Sequence, residues 1–246
     1  MTRTLGRTQA DVTILGYGAM ELRGQPHGPQ VTDAAAGQLL NAVRDGGINL
    51  IDTSPDYGGS EELIGRHVGH RREEFFLASK CGCLPGEPPP GAAPPFPHDY
   101  SQANVRAVVE QSLRRLRTDR LDLVQVHMSP SRAQLDADGT VGELQRLRDE
   151  GKVRFLGMSG TLPHLPDQIA MSVFEVFQIP YSAVQREHEN LITAAAGAGA
   201  GTLIAVARRA AALRPAKTGG AGRSASPRGR GAAGGRPRGW ATCWTA

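Results

Sequence analysis

Two hydrophobic rhythms take turns along the chain. Short apolar runs occur at 12–15 (VTIL), 48–52 (INLID), 74–80 (EFFLASK), 121–127 (LDLVQVH) and 153–159 (VRFLGMS). A weaker run lies at 182–185 (SAVQ), and a last one opens at 201 (GTLIAV). These runs show no polar face, as strands covered on both sides do. Between them lie amphipathic stretches with helical spacing, as in QANVRAVVEQSLRRLR, where Val105, Val108 or Val109, Leu113 and Leu116 recur on one side. Thr32, Ser60 and Ser101 stand where helix caps belong, and Gly46 or Gly47, and Gly151, stand where helices end. The pattern predicts strand–helix alternation repeated about six times, hence a parallel sheet covered by helices.

Two architectures share that pattern, an open doubly wound sheet and a closed (β/α)8 barrel. No GxGxxG follows a first strand to open a helix, which weakens the dinucleotide-binding open sheet. Asp52, Lys80, His127, Ser159 and Gln185 each sit at the carboxyl end of a predicted strand. In a barrel those ends converge on the catalytic face, so the barrel is favoured.

Composition refines this. The chain of 246 residues has 28 basic and 24 acidic side chains, a net charge of +4. Eight arginines and one lysine lie in 205–246, which has no acid; the other 19 basic residues face 24 acids, a net of −5. The chain thus divides into a mildly acidic body, 1–204, and a basic tail, 205–246. Three cysteines cannot build a disulfide framework, and no stretch approaches the ~20 apolar residues of a membrane helix. Both point to the cytoplasm and away from a membrane. Cys81 and Cys83 are spaced too closely for a usual zinc half-site and read as incidental thiols, so no metal is expected.

Singly, the strand-end residues have bland readings. An aspartate such as Asp52 caps helices, Tyr57 beside Gly58-Gly59 fits a turn, Lys80 a solvated strand exit, and His127 a hydrogen-bonded core site. Together around one mouth they form an acid–base set. An ammonium beside a phenol favours the phenolate, so the pKa of Tyr57 is expected to fall from about 10. His127 would hydrogen-bond a substrate oxygen. None of these groups can deliver a hydride, so a nicotinamide cofactor is implied.

The motifs also carry a family resemblance. GGINLIDTSPDYGGSEELIGRHV, FFLASK, SLRRLRTDRLDLVQVHMSP, LRDEGKVRFLGMSG and AVQREHENLI, in this order, resemble the aldo-keto reductases over roughly 12–204. The resemblance implies a (β/α)8 barrel and NADP-dependent reduction of an aldehyde or ketone, with NAD the other option. It implies a catalytic tetrad of Asp52, Tyr57, Lys80 and His127, with Tyr57 protonating the oxygen and Ser159 and Gln185 holding the nicotinamide carboxamide. Gly160 stands where the family has asparagine. After Ile204 the remainder of strand seven, strand eight and two helices have no visible counterpart, so an incomplete barrel of six to seven strands is expected, with unpaired edges.

The Arg/Gly/Ala/Pro-rich tail cannot bury enough surface to offset its ordering entropy and is expected to be disordered. Its abrupt onset inside a strand favours out-of-frame translation over a solubilising or RNA-binding arm, so nucleic acid is not expected as a partner. The partner implied is a small carbonyl compound; substrate identity and oligomeric state are not written in the sequence. Two alternatives stay open: an aldolase with Lys80 as nucleophile, and a barrel without turnover.

Overall fold

The computed structural model describes residues 1–25, 28–86 and 96–205, with the backbone of Thr242–Thr245. Residues 26–27, 87–95, 206–241 and 246 lie outside the described residues. So do the middle of the Pro-rich 81–99 loop and nearly all of the tail for which disorder is expected.

The amino terminus forms a hairpin, with β1 (Thr2–Thr4) antiparallel to β2 (Asp11–Thr13). Leu5 and Val12 are buried with Leu50, Phe76, Leu123, Val176 and Leu203, so the hairpin plugs one end of the sheet. Arg7 fixes the plug by donating to the carbonyls of Ser172, Phe174 and Ala198 at 2.9, 2.5 and 3.1 Å. The apolar run at 12–15 is therefore divided, and the first barrel strand is β3 (Leu15–Gly18).

β4 (Leu50–Asp52), β5 (Phe76–Cys81), β6 (Leu121–Val126), β7 (Val153–Ser159), β8 (Val176–Pro180) and β9 (Gly201–Ala205) follow β3 in parallel, each beside its predecessor. Seven parallel strands make the incomplete barrel that the sequence implies. The unpaired edges expected at its ends are spanned instead. β10 (Thr242–Thr245) lies antiparallel to β3 over four residue pairs and meets β9 at Thr245–Ile204. SAVQ is not a strand. β8 lies upstream at Val176–Pro180, because Phe177 and Ile179 supply the buried apolar positions that Ser182 and exposed Val184 cannot.

Helices cover the outside. α1 (Asp33–Asp45) starts at Thr32, whose hydroxyl accepts from Ala35 N, and ends at Gly46. α2 (Ser60–His67) includes Ser60 rather than being capped by it; that hydroxyl bonds Thr53 Oγ1 at 2.9 Å and donates to Ala19 O at 3.0 Å. α3 (Gln102–Leu116) is capped by Ser101 as expected. α4 (Arg132–Asp138), α5 (Thr140–Asp149), α6 (Leu165–Ala170) and α7 (Glu189–Gly197) complete the layer. Leu40, Ile64, Val105, Val109, Leu116, Leu144 and Leu147 form the helix side of the main core. Each contributes roughly 1.5–3 kcal/mol by leaving water. Among the described residues no helix is long and apolar enough to cross a membrane.

Candidate active site

Register brings the site together. Asp52 ends β4, and Lys80 on β5 pairs with Gln125 on β6. All three point into the barrel, where Lys80 is 1% and Asp52 2% exposed. Lys80 Nζ donates to Asp52 Oδ2 at 2.8 Å and to the Thr53 carbonyl at 2.7 Å. Gln125 Nε2 donates to Asp52 Oδ1 at 2.8 Å, so both carboxylate oxygens have a donor. Sequence reasoning missed Gln125, because it read β6 only for its apolar residues and its end. Burial opposes the ammonium, yet the Asp52 carboxylate and the Tyr57 phenol together outweigh it and the Lys80 pKa rises.

Tyr57 reaches this pair from the loop after β4. Its backbone is tied by Tyr57 N to Ser54 O at 3.0 Å and Ser60 N to Tyr57 O at 2.9 Å. Gly58, at φ +47°, follows, and a Cβ there would lie 2.4 Å from the Arg23 carbonyl, so only glycine lets the loop close over the mouth. Lys80 Nζ stands 5.0 Å from the centre of the Tyr57 ring and interacts with its hydroxyl. The phenol differs from expectation. Burial raises its pKa by more than Lys80 lowers it, and Asp52 adds to the rise. Tyr57 is therefore held as the protonated phenol.

His127 follows β6, with its amide on the Cys81 carbonyl at 3.0 Å and its own carbonyl accepting from Tyr100 OH at 2.8 Å. Burial, with Lys80 nearby, lowers its pKa in spite of Asp56. Its Nδ1 is surrounded by Asp56 Oδ2 at 3.5 Å, His98 Nε2 at 3.2 Å and Cys83 Sγ at 3.5 Å. No sequence motif singled out Asp56 or His98, which lie 29 to 71 positions from His127 in the chain and meet it only through the barrel.

The carboxamide pair is divided. Ser159 ends β7, and its Oγ lies 3.2 Å from Oε1 of Gln178, on β8. Gln185 lies in the loop beyond β8 and donates to Glu187 Oε1 at 3.0 Å. The glutamine beside Ser159 is thus Gln178, whose buried Nε2 has no partner among the described residues. Misplacing the strand by several residues moved the assignment from Gln178, beside Ser159, to Gln185 in the loop; the apolar alternation of Val176-Phe177-Gln178-Ile179 was the available signal. At Gly160 a Cβ would meet the side-chain ends of Leu165 and Gln168 at 2.8 and 2.9 Å, so a larger residue there requires those side chains to move. Gln168 fills that space, its Nε2 on the Pro130 carbonyl at 2.6 Å. A cleft of about 470 Å³ opens nearby between His98, Tyr100, Pro130 and His164.

A family model described as "Aldo/keto reductase family" matches residues 14–220. L-galactose dehydrogenase of Arabidopsis thaliana is 35% identical over 165 residues, 64% of this chain and 48% of that protein. 6-dehydroglucose reductase of Novosphingobium aromaticivorans is 32% identical over 183 residues, 68% of this chain and 53% of that one. The holo form of an aldo-keto reductase from Bacillus halodurans superposes with a TM-score of 0.72 at 27% identity, over 82% of this chain and 65% of the other. The chain spans about half the length of the curated relatives it matches.

Proposed function

The chain belongs to the aldo/keto reductase family, and from that premise we propose that it reduces an aldehyde or ketone to an alcohol with a nicotinamide cofactor, Tyr57 giving the proton. One observation carries the reading. A single buried ammonium, Lys80, contacts both the Asp52 carboxylate and the Tyr57 phenol at the carboxyl end of the sheet.

The residues fit the cofactor's nicotinamide end. The unpartnered Nε2 of Gln178 and the Oγ of Ser159 are matched to a carboxamide, which offers one acceptor and one donor group. When bound, the cofactor supplies the hydride. NADP is the first choice and NAD the second.

Tyr57 donates its hydroxyl proton to the carbonyl oxygen as that oxygen gains charge. The phenol is a competent donor because burial keeps it protonated, while Lys80 stabilises the phenolate left behind. Asp52 holds Lys80 charged and in place. His127, with its lowered pKa, is a neutral imidazole that orients the substrate oxygen by a hydrogen bond.

The aldolase alternative is disfavoured by the same contacts. A Schiff-base lysine must shed its proton, whereas Lys80 is held as an ammonium by two acceptors. The test is oxidation of NADPH by the purified chain with a reactive aldehyde, in wild type and Tyr57→Phe. Turnover should fall by about 10²-fold or more on removing the proton donor, with NADPH binding by fluorescence retained. Full activity in the variant rejects the assignment; wild-type NADPH binding without turnover supports the non-catalytic reading.

A further inference from the structure

Asp56, Cys83, His98 and His127 come from four separate stretches of the chain, and each turns one ligand atom to a common point. Those four atoms all lie within 4.8 Å of one another. Four of the separations are 3.2 Å (His98 Nε2 to His127 Nδ1), 3.4 Å (His98 Nε2 to Asp56 Oδ2), 3.5 Å (His127 Nδ1 to Asp56 Oδ2) and 3.5 Å (Cys83 Sγ to His127 Nδ1). Zinc bonds of about 2.0–2.3 Å to N, O and S place neighbouring ligands about 3.3–3.7 Å apart at the corners of a tetrahedron. These four edges lie close to that figure, and the other two, from Cys83 to Asp56 and to His98, are within 4.8 Å.

Hydrogen bonds alone satisfy the cluster badly. His98 Nδ1 lies 2.7 Å from the Phe96 carbonyl, so that nitrogen carries the hydrogen and Nε2 presents a lone pair. Asp56 offers only lone pairs. One N–H on His127 and one S–H on Cys83 are then the only hydrogens for the contacts among four groups. A cation serves all four lone pairs at once. The His98–Phe96 bond is also the outer support that fixes a metal-binding imidazole.

The backbone prepares the arrangement. Cys83 and His98 form an antiparallel bridge, and Asp99 N donates to Gly82 O at 2.8 Å. Gly82, at φ +92°, packs its α-carbon where a Cβ would lie 2.5 Å from the Tyr100 ring. Asn104 Nδ2 holds the Cys83 carbonyl at 2.9 Å.

We propose that Asp56, Cys83, His98 and His127 form a closed tetrahedral site for a divalent transition metal of the zinc class. A Cys-His-His-Asp set of mixed softness suits zinc, and cobalt(II) substitutes as a spectroscopic probe. On binding, the Cys83 thiol gives up its proton to solvent. Two thiolate and carboxylate charges then neutralise the ion, and no redox change occurs. The spacing of Cys81 and Cys83, unlike a zinc half-site, hid this possibility in the sequence, because only one of the two thiols takes part. One consequence rests on the reductase reading. With Nδ1 on the metal, neutral His127 carries its hydrogen on Nε2, the form that can donate to a substrate oxygen.

The test uses the full chain, freed of metal with a chelator and titrated with Co²⁺. Expected are the intense visible bands of four-coordinate cobalt and a near-ultraviolet thiolate charge-transfer band, both saturating at one ion per chain and erased by equimolar Zn²⁺. Cys83→Ser should abolish the charge-transfer band, while Cys81→Ser leaves it. His98→Gln and Asp56→Asn should each weaken binding at least tenfold, with unchanged far-ultraviolet dichroism. Only six-coordinate cobalt in the wild type overturns the site, a result that needs no variant to fold. So does a thiolate band that survives Cys83→Ser, since it must then come from Cys81 or Cys243. The spectrum does not depend on turnover, so failure of the reductase reading leaves it standing, and the reverse holds too.

Discussion

Lys80 and Asp52 form an ion pair at 2.8 Å with both side chains almost wholly closed off from solvent. Separating them leaves a charge in the barrel with too few partners, which is where a buried pair is most sensitive. Lys80→Met should destabilise the fold by about 3–5 kcal/mol, seen as a lower urea midpoint. Gln125 alone cannot compensate the abandoned carboxylate. Adding Asp52→Leu to that variant should restore a large part of the loss. A double variant as unstable as the single one would show that the pair's charge balance is not what holds this region.

The two glutamines separate two assignments. Gln178 has its buried Nε2 free beside Ser159, whereas Gln185 is engaged with Glu187 in a loop. Gln178→Leu should weaken NADPH binding about tenfold, the worth of one hydrogen bond left unmade at about 1.4 kcal/mol. Gln185→Leu should change it less than twofold. Fluorescence titration of both variants checks this, and the opposite ranking would return the role to Gln185.

The glutamine assignment marks how far the sequence could be read. Alternation of strands and helices, and the residues that end β4, β5, β6 and β7, were legible, because periodicity and strand-end polarity are local signals. β8 was not: its apolar core is short, and Pro180 and Tyr181 obscure its end, so the strand was sought too late. The hairpin plug was missed because β1 is fully polar and exposed, with no alternation to betray it. The Asp56–Cys83–His98–His127 cluster could not be read at all, since its members become neighbours only through barrel closure. The Tyr57 pKa was misjudged in direction because the charge of Lys80 can be inferred from residue type, while depth of burial cannot.

Acidification should act first through His127. Its pKa is lowered in the fold, by burial before all else, so the unfolded chain takes up protons that the folded chain refuses. The facing groups are Lys80, which opposes protonation, Asp56, which favours it, and His98 and Cys83. Stability from this residue is complete above the unfolded value of about 6.5 and is lost as pH falls below it toward the folded value. Asp56, whose burial is outweighed by the His127 and His98 imidazoles beside it, is also lowered and adds a second loss below about 4. Urea midpoints between pH 8 and 3, on metal-free protein, should therefore fall in two stages. His127→Gln should flatten the first stage, and an unchanged slope there would assign the acid sensitivity elsewhere.

The base of the barrel gives a prediction independent of chemistry. Gly6 has φ +50°, and a Cβ built on it would lie 2.1 Å from the Gly201 amide nitrogen and 2.4 Å from the Ala200 carbonyl carbon. Those are backbone atoms at the start of β9, which cannot swing aside as a side chain could. Next to it, Leu5 enters the lower core and Arg7 bonds three carbonyls, so the hairpin cannot retreat without losing both. Gly6→Ala should therefore cost about 2–4 kcal/mol, from left-handed strain together with overpacking. Arg7→Ala, which removes exposed and half-buried hydrogen bonds but adds no clash, should cost about 1 kcal/mol. Thermal or urea unfolding of the two variants ranks them. Equal, small effects would mean that the plug sits loosely on β9, and that the close approach of Gly6 and Gly201 does not fix where the barrel begins.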